Sequence, residues 1–159
     1  MTELVKGFEP FFDKDSRVLI LGSFPSVKSR KQNFYYGNPQ NAFWRIISGF
    51  FGEEIPDTVE SKKSLLSRHN IALWDIVTEC EIQGSKDATI KNYKVADLSA
   101  LLQNSQIKYI LINGGKAYSV FERHYKDLAV PYMKLPSTSP ANARKKDESW
   151  YDALRKSFS

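Results

Sequence analysis

The stretch Arg17-Val-Leu-Ile-Leu-Gly-Ser-Phe-Pro-Ser26 decides the fold of this sequence. Its apolar run from Val18 to Leu21 is short and unbroken, which is typical of a strand buried on both faces. Gly22 and Pro25 then end the regular structure. We therefore predict a buried strand over residues 17–22, with a loop leaving its carboxyl end.

The segment 23–40 has no regular apolar spacing, and we predict an 18-residue loop there. A loop of this length in a compact domain is usually functional or disordered. Its aromatic residues, Phe24 and the run Phe34-Tyr-Tyr36, argue against disorder. Asn41 can then cap a helix over 42–51, whose large apolar residues recur at helical spacing.

Short apolar runs alternate with longer amphipathic stretches along the rest of the chain. They predict strands over 71–75, 108–112 and 131–135, and helices over 59–68, 97–103, 113–125 and from 147 onward. Strands separated by helices imply right-handed crossovers and a mainly parallel sheet. We therefore predict one α/β domain over residues 1–159: a three-layer sandwich whose central, mainly parallel four-stranded sheet is covered by helices on both faces.

The composition fits a folded domain with a basic surface. Hydrophobic residues make up 42% and aromatic residues 13% of the 159 residues, which is enough for a packed core. The net charge of +5 favours an anionic partner, although an ordinary basic surface explains the same total. Two basic clusters lie in predicted loops beside the motifs described below, and they consist of Lys28, Arg30 and Lys31, and of Arg144, Lys145 and Lys146.

The single cysteine, Cys80, excludes an intrachain disulfide and suits a reducing compartment. The amino-terminal residues lack the apolar run of a signal peptide, and no stretch reaches the ~18 apolar residues of a membrane span. We therefore expect a cytoplasmic protein with no membrane partner, and we take a monomer as the default.

Two motifs rich in proline, serine and small residues leave the ends of predicted strands. The first is Gly22-Ser-Phe-Pro-Ser26, followed by Tyr35-Tyr-Gly-Asn-Pro-Gln-Asn-Ala-Phe-Trp44. The second is Leu135-Pro-Ser-Thr-Ser-Pro-Ala-Asn142. In parallel α/β sheets the ligand binds outside the carboxyl ends of the strands. We therefore expect a site formed by these motifs together with Asp75 and Asn113-Gly-Gly115.

These motifs, in this order, resemble those of the uracil-DNA glycosylase superfamily, and most of all its hypoxanthine-DNA glycosylase (deoxyinosine glycosylase) branch. Ile71-Ala-Leu-Trp-Asp-Ile76 and Gly84-Ser-Lys-Asp87 are also similar to that branch, so the resemblance extends from about residue 7 to residue 151. It implies a monofunctional DNA glycosylase that hydrolyses the N-glycosidic bond of a deaminated base, above all hypoxanthine, to start base excision repair. Two alternatives stay open: a uracil-DNA glycosylase, and a catalytically silent DNA-binding member of the fold.

The resemblance places the catalytic role on Asn41. Related branches carry an Asn or Asp in their first motif, where this chain has Ser23-Phe24. The hypoxanthine branch uses the Asn of its Pro-x-Asn-x-Phe-Trp motif instead, which maps onto Asn41. An amide has no useful pKa and cannot be a general base, but it can orient a water. Helix capping is the alternative role, and the two are compatible.

The resemblance also implies which residues hold the extruded base. Tyr36 lies where the superfamily stacks an aromatic ring on the base, although at least one of Tyr35 and Tyr36 is expected to anchor the loop. Asp75 is expected to accept a hydrogen bond from N1–H of hypoxanthine, with a helix cap or a surface charge as the alternative. The remaining predicted base contacts are Gly22, Ser23, Phe24 and Asn113. For the last of these, capping the next helix is the alternative.

The loop Ser137-Thr-Ser-Pro-Ala-Asn142 resembles the superfamily's second motif, which presses on the DNA backbone. Hydroxyl and backbone N–H groups suit phosphates, and basic side chains add salt-dependent attraction. The predicted DNA contacts are Ser137, Thr138, Ser139, Pro140, Asn142, Arg144 and Lys145. For the basic run, a solvated helix start is the alternative.

The expected partner is DNA containing a damaged base, with no cofactor and no metal. His69 and His124 have no Cys or carboxylate at ligand spacing, which argues against a zinc site. One cysteine cannot hold a [4Fe–4S] cluster. Asn113-Gly-Gly-Lys116 lacks the spacing of a phosphate loop, so nucleotide hydrolysis is a poor fit.

Overall fold

The computed structural model of the protein describes residues 3–159, and its centre is a parallel sheet. It has four strands, which are β2 (Val18–Gly22), β3 (Ile71–Asp75), β6 (Tyr109–Asn113) and β7 (Tyr132–Leu135). Their order in the sheet is β3-β2-β6-β7, and every neighbouring pair is parallel. This confirms the predicted central sheet, with strand bounds within one residue of the prediction.

Helices cover both faces of this sheet, so the predicted α/β sandwich is confirmed. The helices are α1 (Val27–Gln32), α2 (Phe43–Phe50), α3 (Val59–Arg68), α4 (Leu98–Gln103), α5 (Gly115–Tyr125) and α6 (Asp147–Phe158). Val18 and Ile20 of β2 pack with residues of α2, α3 and α6 on one face. Leu19 and Leu21 pack with residues of α4 and α5 on the other. Alternate side chains of this buried strand therefore pack into two separate hydrophobic cores, one on each face of the sheet.

A second sheet flanks the sandwich and was not predicted. Its antiparallel order is β1-β4-β5, formed by β1 (Glu3–Lys6), β4 (Val77–Ile82) and β5 (Lys91–Val95). These strands mix apolar residues with charged or polar ones, so they lack the continuous apolar run of the central strands. Between β4 and β5 the chain makes a short 3-10 helix, Asp87–Thr89.

The predicted 18-residue loop over 23–40 is wrong in one respect, because it contains the short helix α1. Ser26 caps this helix, since its side chain accepts a hydrogen bond from the N–H of Ser29. Asn33 ends it in the left-handed conformation, with φ of 58°. Within α1 only Val27 is apolar, so no hydrophobic spacing marks the helix in the sequence.

No helix within the described residues 3–159 is both long and apolar enough to cross a membrane.

Candidate active site

A cavity of about 810 Å³ opens where β2, β3, β6 and β7 end, as the parallel sheet predicts. All the predicted site residues except Arg144 and Lys145 line it. They are Gly22, Ser23, Phe24, Tyr36, Asn41, Asp75, Asn113, Ser137, Thr138, Ser139, Pro140 and Asn142. The structure thus brings together side chains that are up to 120 positions apart in the sequence, from Gly22 to Asn142.

The floor of the cavity is built from Gly22, Asp75 and Tyr36. A Cβ atom on Gly22 would lie 2.5 Å from Oδ1 of Asp75 and 3.0 Å from the hydroxyl oxygen of Tyr36. Only glycine therefore allows both side chains to approach the end of β2. Asp75 is 5% exposed, which rules out the alternative that it is a surface charge, and it begins no helix.

Two polar atoms of this floor are left without a hydrogen-bond partner in the part of the chain that the structure describes. They are Oδ2 of Asp75 and the hydroxyl of Tyr36. Burial, reinforced by the nearby carboxyl of Asp87, raises the pKa of Asp75 to about 8. Asp75 is therefore mainly a neutral carboxylic acid at pH 7, able both to donate and to accept a hydrogen bond. Such buried unpaired groups are costly unless a ligand satisfies them.

Tyr36 is held rigidly by its neighbours. Its ring stacks on Phe43 with centroids 4.2 Å apart and an angle of 22° between the planes. Its backbone is in the left-handed region, with φ of 53°, and its carbonyl accepts a hydrogen bond from the Trp44 indole N–H at 3.1 Å. Tyr35 is the residue that anchors the loop, because it is 3% exposed and its hydroxyl donates to the Glu9 carbonyl at 2.8 Å.

Asn41 lies one residue before the cap position of α2, which is Ala42, and it lines the cavity wall. Its Oδ1 accepts a hydrogen bond from the N–H of Phe43 at 2.9 Å, at the start of α2. Its side chain is only half-buried and lines the cavity. The amide N–H groups make no hydrogen bond to any described residue, so they are available to a water or a nucleotide.

Asn113 does not cap α5, contrary to the alternative considered from the sequence. The cap position is Gly114, and it makes no side-chain hydrogen bond. The amide of Asn113 instead forms a reciprocal pair with Thr138: Nδ2 donates to Oγ1 at 2.9 Å, and Oδ1 accepts from the Thr138 N–H at 3.0 Å. The Thr138 carbonyl in turn accepts from the N–H of Ala42 at 3.0 Å. Asn113 thus fixes the second motif against the sheet and against the start of α2.

The second motif is also braced from the side of α6. Lys146 donates to the carbonyls of Ser139 at 3.2 Å and Asn142 at 2.7 Å, and it is 9% exposed. The Trp150 indole N–H donates to the Pro136 carbonyl at 2.8 Å. Lys146 is therefore a structural clamp, and the expectation that it adds to a DNA-facing basic run is wrong. Its neighbours Arg144 and Lys145 are exposed outside the cavity lining.

Asp87 is a cavity residue for which the sequence predicts no role, although it belongs to the motif Gly84-Ser-Lys-Asp87. Asp87 lines the cavity, and its Oδ1 accepts a hydrogen bond from the Ser23 hydroxyl at 2.8 Å. The two residues are 64 positions apart, and the strands that bring them together were not predicted. The exposed Lys28 and Lys31 also line the cavity.

The sequence profile of the uracil DNA glycosylase superfamily matches residues 9–158. The chain belongs to the uracil DNA glycosylase superfamily. This confirms the resemblance inferred from the motifs, and it makes the protein a DNA glycosylase, a hydrolase of N-glycosyl bonds.

Similar proteins agree with this membership over nearly the whole chain. A protein of Methanosarcina acetivorans named hypoxanthine DNA glycosylase is 36% identical, and the match covers 94% of this chain and 96% of that protein. A protein of the same name from Methanosarcina barkeri is 30% identical over 95% of this chain and 98% of its own length. A solution NMR structure from Methanosarcina acetivorans, described as a candidate uracil DNA glycosylase, matches with a TM-score of 0.85 and 31% identity. It covers 98% of this chain and 99% of that one.

Proposed function

We propose that this protein is a monofunctional DNA glycosylase that removes hypoxanthine from DNA as the first step of base excision repair. The observation that carries the proposal is a pair of polar atoms on the cavity floor that have no hydrogen-bond partner among residues 3–159, Oδ2 of Asp75 and the hydroxyl of Tyr36. Both are buried side-chain atoms, and a polar ligand in the cavity would supply the hydrogen bonds that such atoms need. The two Methanosarcina relatives named hypoxanthine DNA glycosylase support the same substrate.

Asp75 matches the lactam edge of the base. With its pKa raised to about 8 by burial, the carboxyl of Asp75 is mainly protonated at pH 7. It then donates to O6 of hypoxanthine and accepts from N1–H, which pairs both atoms of the lactam. Since uracil and xanthine carry a similar edge, Asp75 selects the class of deaminated bases, and the shape of the cavity selects within it.

A neutral Asp75 also suits the departure of the base. Cleavage of the N-glycosidic bond leaves negative charge on the base and an oxocarbenium-like sugar. A carboxylate against O6 would oppose that negative charge, whereas a carboxylic acid stabilises it by donating a hydrogen bond. The raised pKa of Asp75, about 8, thus serves both recognition and leaving-group stabilisation.

The remaining lining residues take roles in base stacking and water orientation. The ring of Tyr36, fixed on Phe43, stacks on the extruded base, which contributes about 1–3 kcal/mol. The amide N–H groups of Asn41 orient the attacking water and hold the nucleotide. Gly22, Ser23 and Phe24 offer backbone N–H groups at the end of β2.

The DNA backbone lies along the second motif. Its hydroxyl-bearing loop, residues 137–142, is braced by Asn113 and Lys146, so it offers a preformed surface for phosphates. Arg144 and Lys145 are exposed beside it and add salt-dependent attraction.

A cleavage assay tests the proposal. The protein is incubated with labelled duplexes that contain a single inosine, uracil or xanthine, and abasic sites are then cleaved with alkali. We expect scission at inosine that requires the alkali step. Scission only at uracil would replace the proposed substrate by the one that the description of the NMR structure suggests. Salt-sensitive binding without scission at any base would indicate a silent DNA-binding module.

A further inference from the structure

The hydrolytic step needs a group that accepts a proton from the attacking water. The amide of Asn41 cannot do so, because it has no useful pKa. The residues that line the cavity include two carboxyl groups, those of Asp75 and Asp87, and no histidine. The first turn after β2 supplies no carboxylate either, since it consists of Ser23 and Phe24.

Asp87 is carried to the cavity by the turn between β4 and β5, and this turn is fastened to the first motif. The N–H of Val27 donates to the Ser85 hydroxyl oxygen at 2.8 Å, and Arg30 donates to the Gly84 carbonyl at 2.6 Å. The Ser23 hydroxyl donates to Oδ1 of Asp87 at 2.8 Å. A carboxylate is thereby presented beside the first turn by a separate element, with its second oxygen left free of hydrogen bonds to described residues.

The two carboxyl groups have different surroundings, which divides their roles. Asp75 is 5% exposed at the floor, and its carboxyl is neutral at pH 7 because its pKa is raised to about 8 by burial. Asp87 is an exposed residue at the cavity edge. Burial of its carboxyl among neighbouring atoms raises its pKa too, but the Ser23 hydrogen bond and the charge of Lys116 oppose that shift. The carboxyl of Asp87 therefore ionises more readily than that of Asp75.

We propose that Asp87 is a catalytic residue of this site, the general base that accepts a proton from the water attacking C1′ of the extruded nucleotide. This inference rests on the proposed function. As the C1′–N9 bond breaks, its electron pair leaves with the base, and a bond forms between C1′ and the water oxygen. The proton taken by Asp87 passes to solvent, and the released base takes up one proton, so atoms and charge balance. The charge of Asp87 also favours the cationic sugar.

The variant Asp87→Asn tests this role, because its amide oxygen still accepts the Ser23 hydrogen bond but cannot take a proton. Single-turnover rates are measured on an inosine duplex with excess enzyme from pH 5 to pH 9. We expect the rate at neutral pH to fall about 100-fold or more, the usual contribution of general base catalysis. Affinity for an uncleaved duplex is expected to stay close to that of the wild type, because proton transfer takes place only in the reaction step.

The pH profile gives a readout that a structural role would not move. The wild-type rate is expected to rise with pH as Asp87 ionises, and Asp87→Asn is expected to lose this acid limb. Four charged or titratable groups interact electrostatically with Asp87, and they are Asp75, Tyr36, Cys80 and Lys116. If Asp87→Asn loses the acid limb and the control variant described next keeps it, the limb is assigned to Asp87 rather than to these neighbours.

Asp127→Asn is the matched control, because it makes the same chemical change at an exposed residue outside the cavity lining. If the wild-type enzyme is active and Asp87→Asn keeps both its rate and its acid limb, the role of Asp87 is overturned while the proposed function stands. No excision by the wild-type enzyme would overturn the proposed function instead. If Asp87→Asn has a lower melting temperature than the wild type, Asp87→Ala is assayed with added formate, which can replace the missing carboxylate. Recovery of rate supports the general base, and no recovery contradicts it.

Discussion

The carboxyl of Asp75 occupies the space that a side chain on Gly22 would need. Because the added Cβ would lie 2.5 Å from Oδ1 of Asp75, Gly22→Ala must displace that carboxyl or the end of β2. We expect a loss of about 1–3 kcal/mol in the free energy of unfolding, typical of overpacking, and a larger loss of excision than of DNA binding. Urea denaturation and single-turnover kinetics measure the two effects.

Gly115→Ala is the control for that experiment, since nothing lies within 4 Å of the added Cβ at the start of α5. It is expected to be neutral or slightly stabilising. Equal stability and activity of the Gly22 and Gly115 variants would show that the close approach of Asp75 to β2 does not matter.

The raised pKa of Asp75 also predicts how stability depends on pH. In the unfolded chain this carboxyl ionises near its ordinary pKa of 3.8, but in the folded protein it ionises only near about 8. The folded state thus holds an extra proton between these values, so stability falls as pH rises through this window. Above about pH 8 the full cost of the buried charge is present.

Asp75→Asn removes this proton linkage. The variant is expected to gain stability relative to wild type by up to about 1.4 kcal/mol per pH unit between pH 5 and pH 8. Urea denaturation at each pH measures the difference, with Asp127→Asn as the exposed control. A difference that stays flat with pH would mean that Asp75 is ionised in the folded protein and cannot donate to the lactam oxygen.

At the scale of the element, the central strands could be predicted because a short, unbroken apolar run is typical of a strand that is buried on both faces. The helix α1 and the sheet β1-β4-β5 could not, because hydrogen bonds and edge pairing form them rather than a continuous apolar face. Asp87 was overlooked for the same reason. Its neighbour Ser23 is 64 positions away, and the pairing of β4 with β5 leaves no periodic signal.

The Asn113 amide joins the second motif to the central sheet, which leads to a prediction about that element. Asn113→Ala leaves the N–H and hydroxyl of the buried Thr138 without partners, which is expected to cost roughly 1–3 kcal/mol. Hydrogen exchange at the Thr138 amide is expected to accelerate more than exchange in α3, and DNA affinity to fall with it. Both follow from a loosened loop.

The control is Asn104→Ala, whose amide donates to the Ala100 carbonyl at 2.7 Å on the exposed surface. It is expected to leave the exchange of Thr138 unchanged. If the Asn113 variant shows no more local exchange than this control, the loop 137–142 is held by Lys146 and Trp150 instead.

For the whole molecule, charge position matters more than the net charge of +5. The double variant Arg144→Ala/Lys145→Ala is expected to reduce the slope of log affinity against log salt by about 0.9 for each phosphate that is no longer neutralised. Fluorescence anisotropy with a labelled duplex between about 50 and about 200 mM salt covers the informative range.

The matched control is Arg17→Ala/Lys108→Ala, which removes the same charges just before β2 and β6, at the edge opposite the cavity. Its salt slope is expected to equal that of wild type. Equal slopes for both double variants would place DNA away from Arg144 and Lys145.

The central sheet, and the edge of it where the cavity opens, could be predicted, since parallel strands gather their carboxyl ends at one edge. What each side chain does there could not. Asn113 and Lys146 both looked like surface or substrate contacts in the sequence, and only three-dimensional proximity reveals that they brace the loop of Thr138. The monomeric state stays a prediction.

The most direct test of the proposed reaction is release of the free base. A duplex with a single deoxyinosine is incubated with the protein, and the small-molecule fraction is analysed by liquid chromatography and mass spectrometry. We predict free hypoxanthine in an amount equal to the abasic sites formed. In Asn41→Ala we expect a much larger loss of this release than of melting temperature. No free hypoxanthine from a folded, DNA-binding wild-type protein would contradict the proposed reaction.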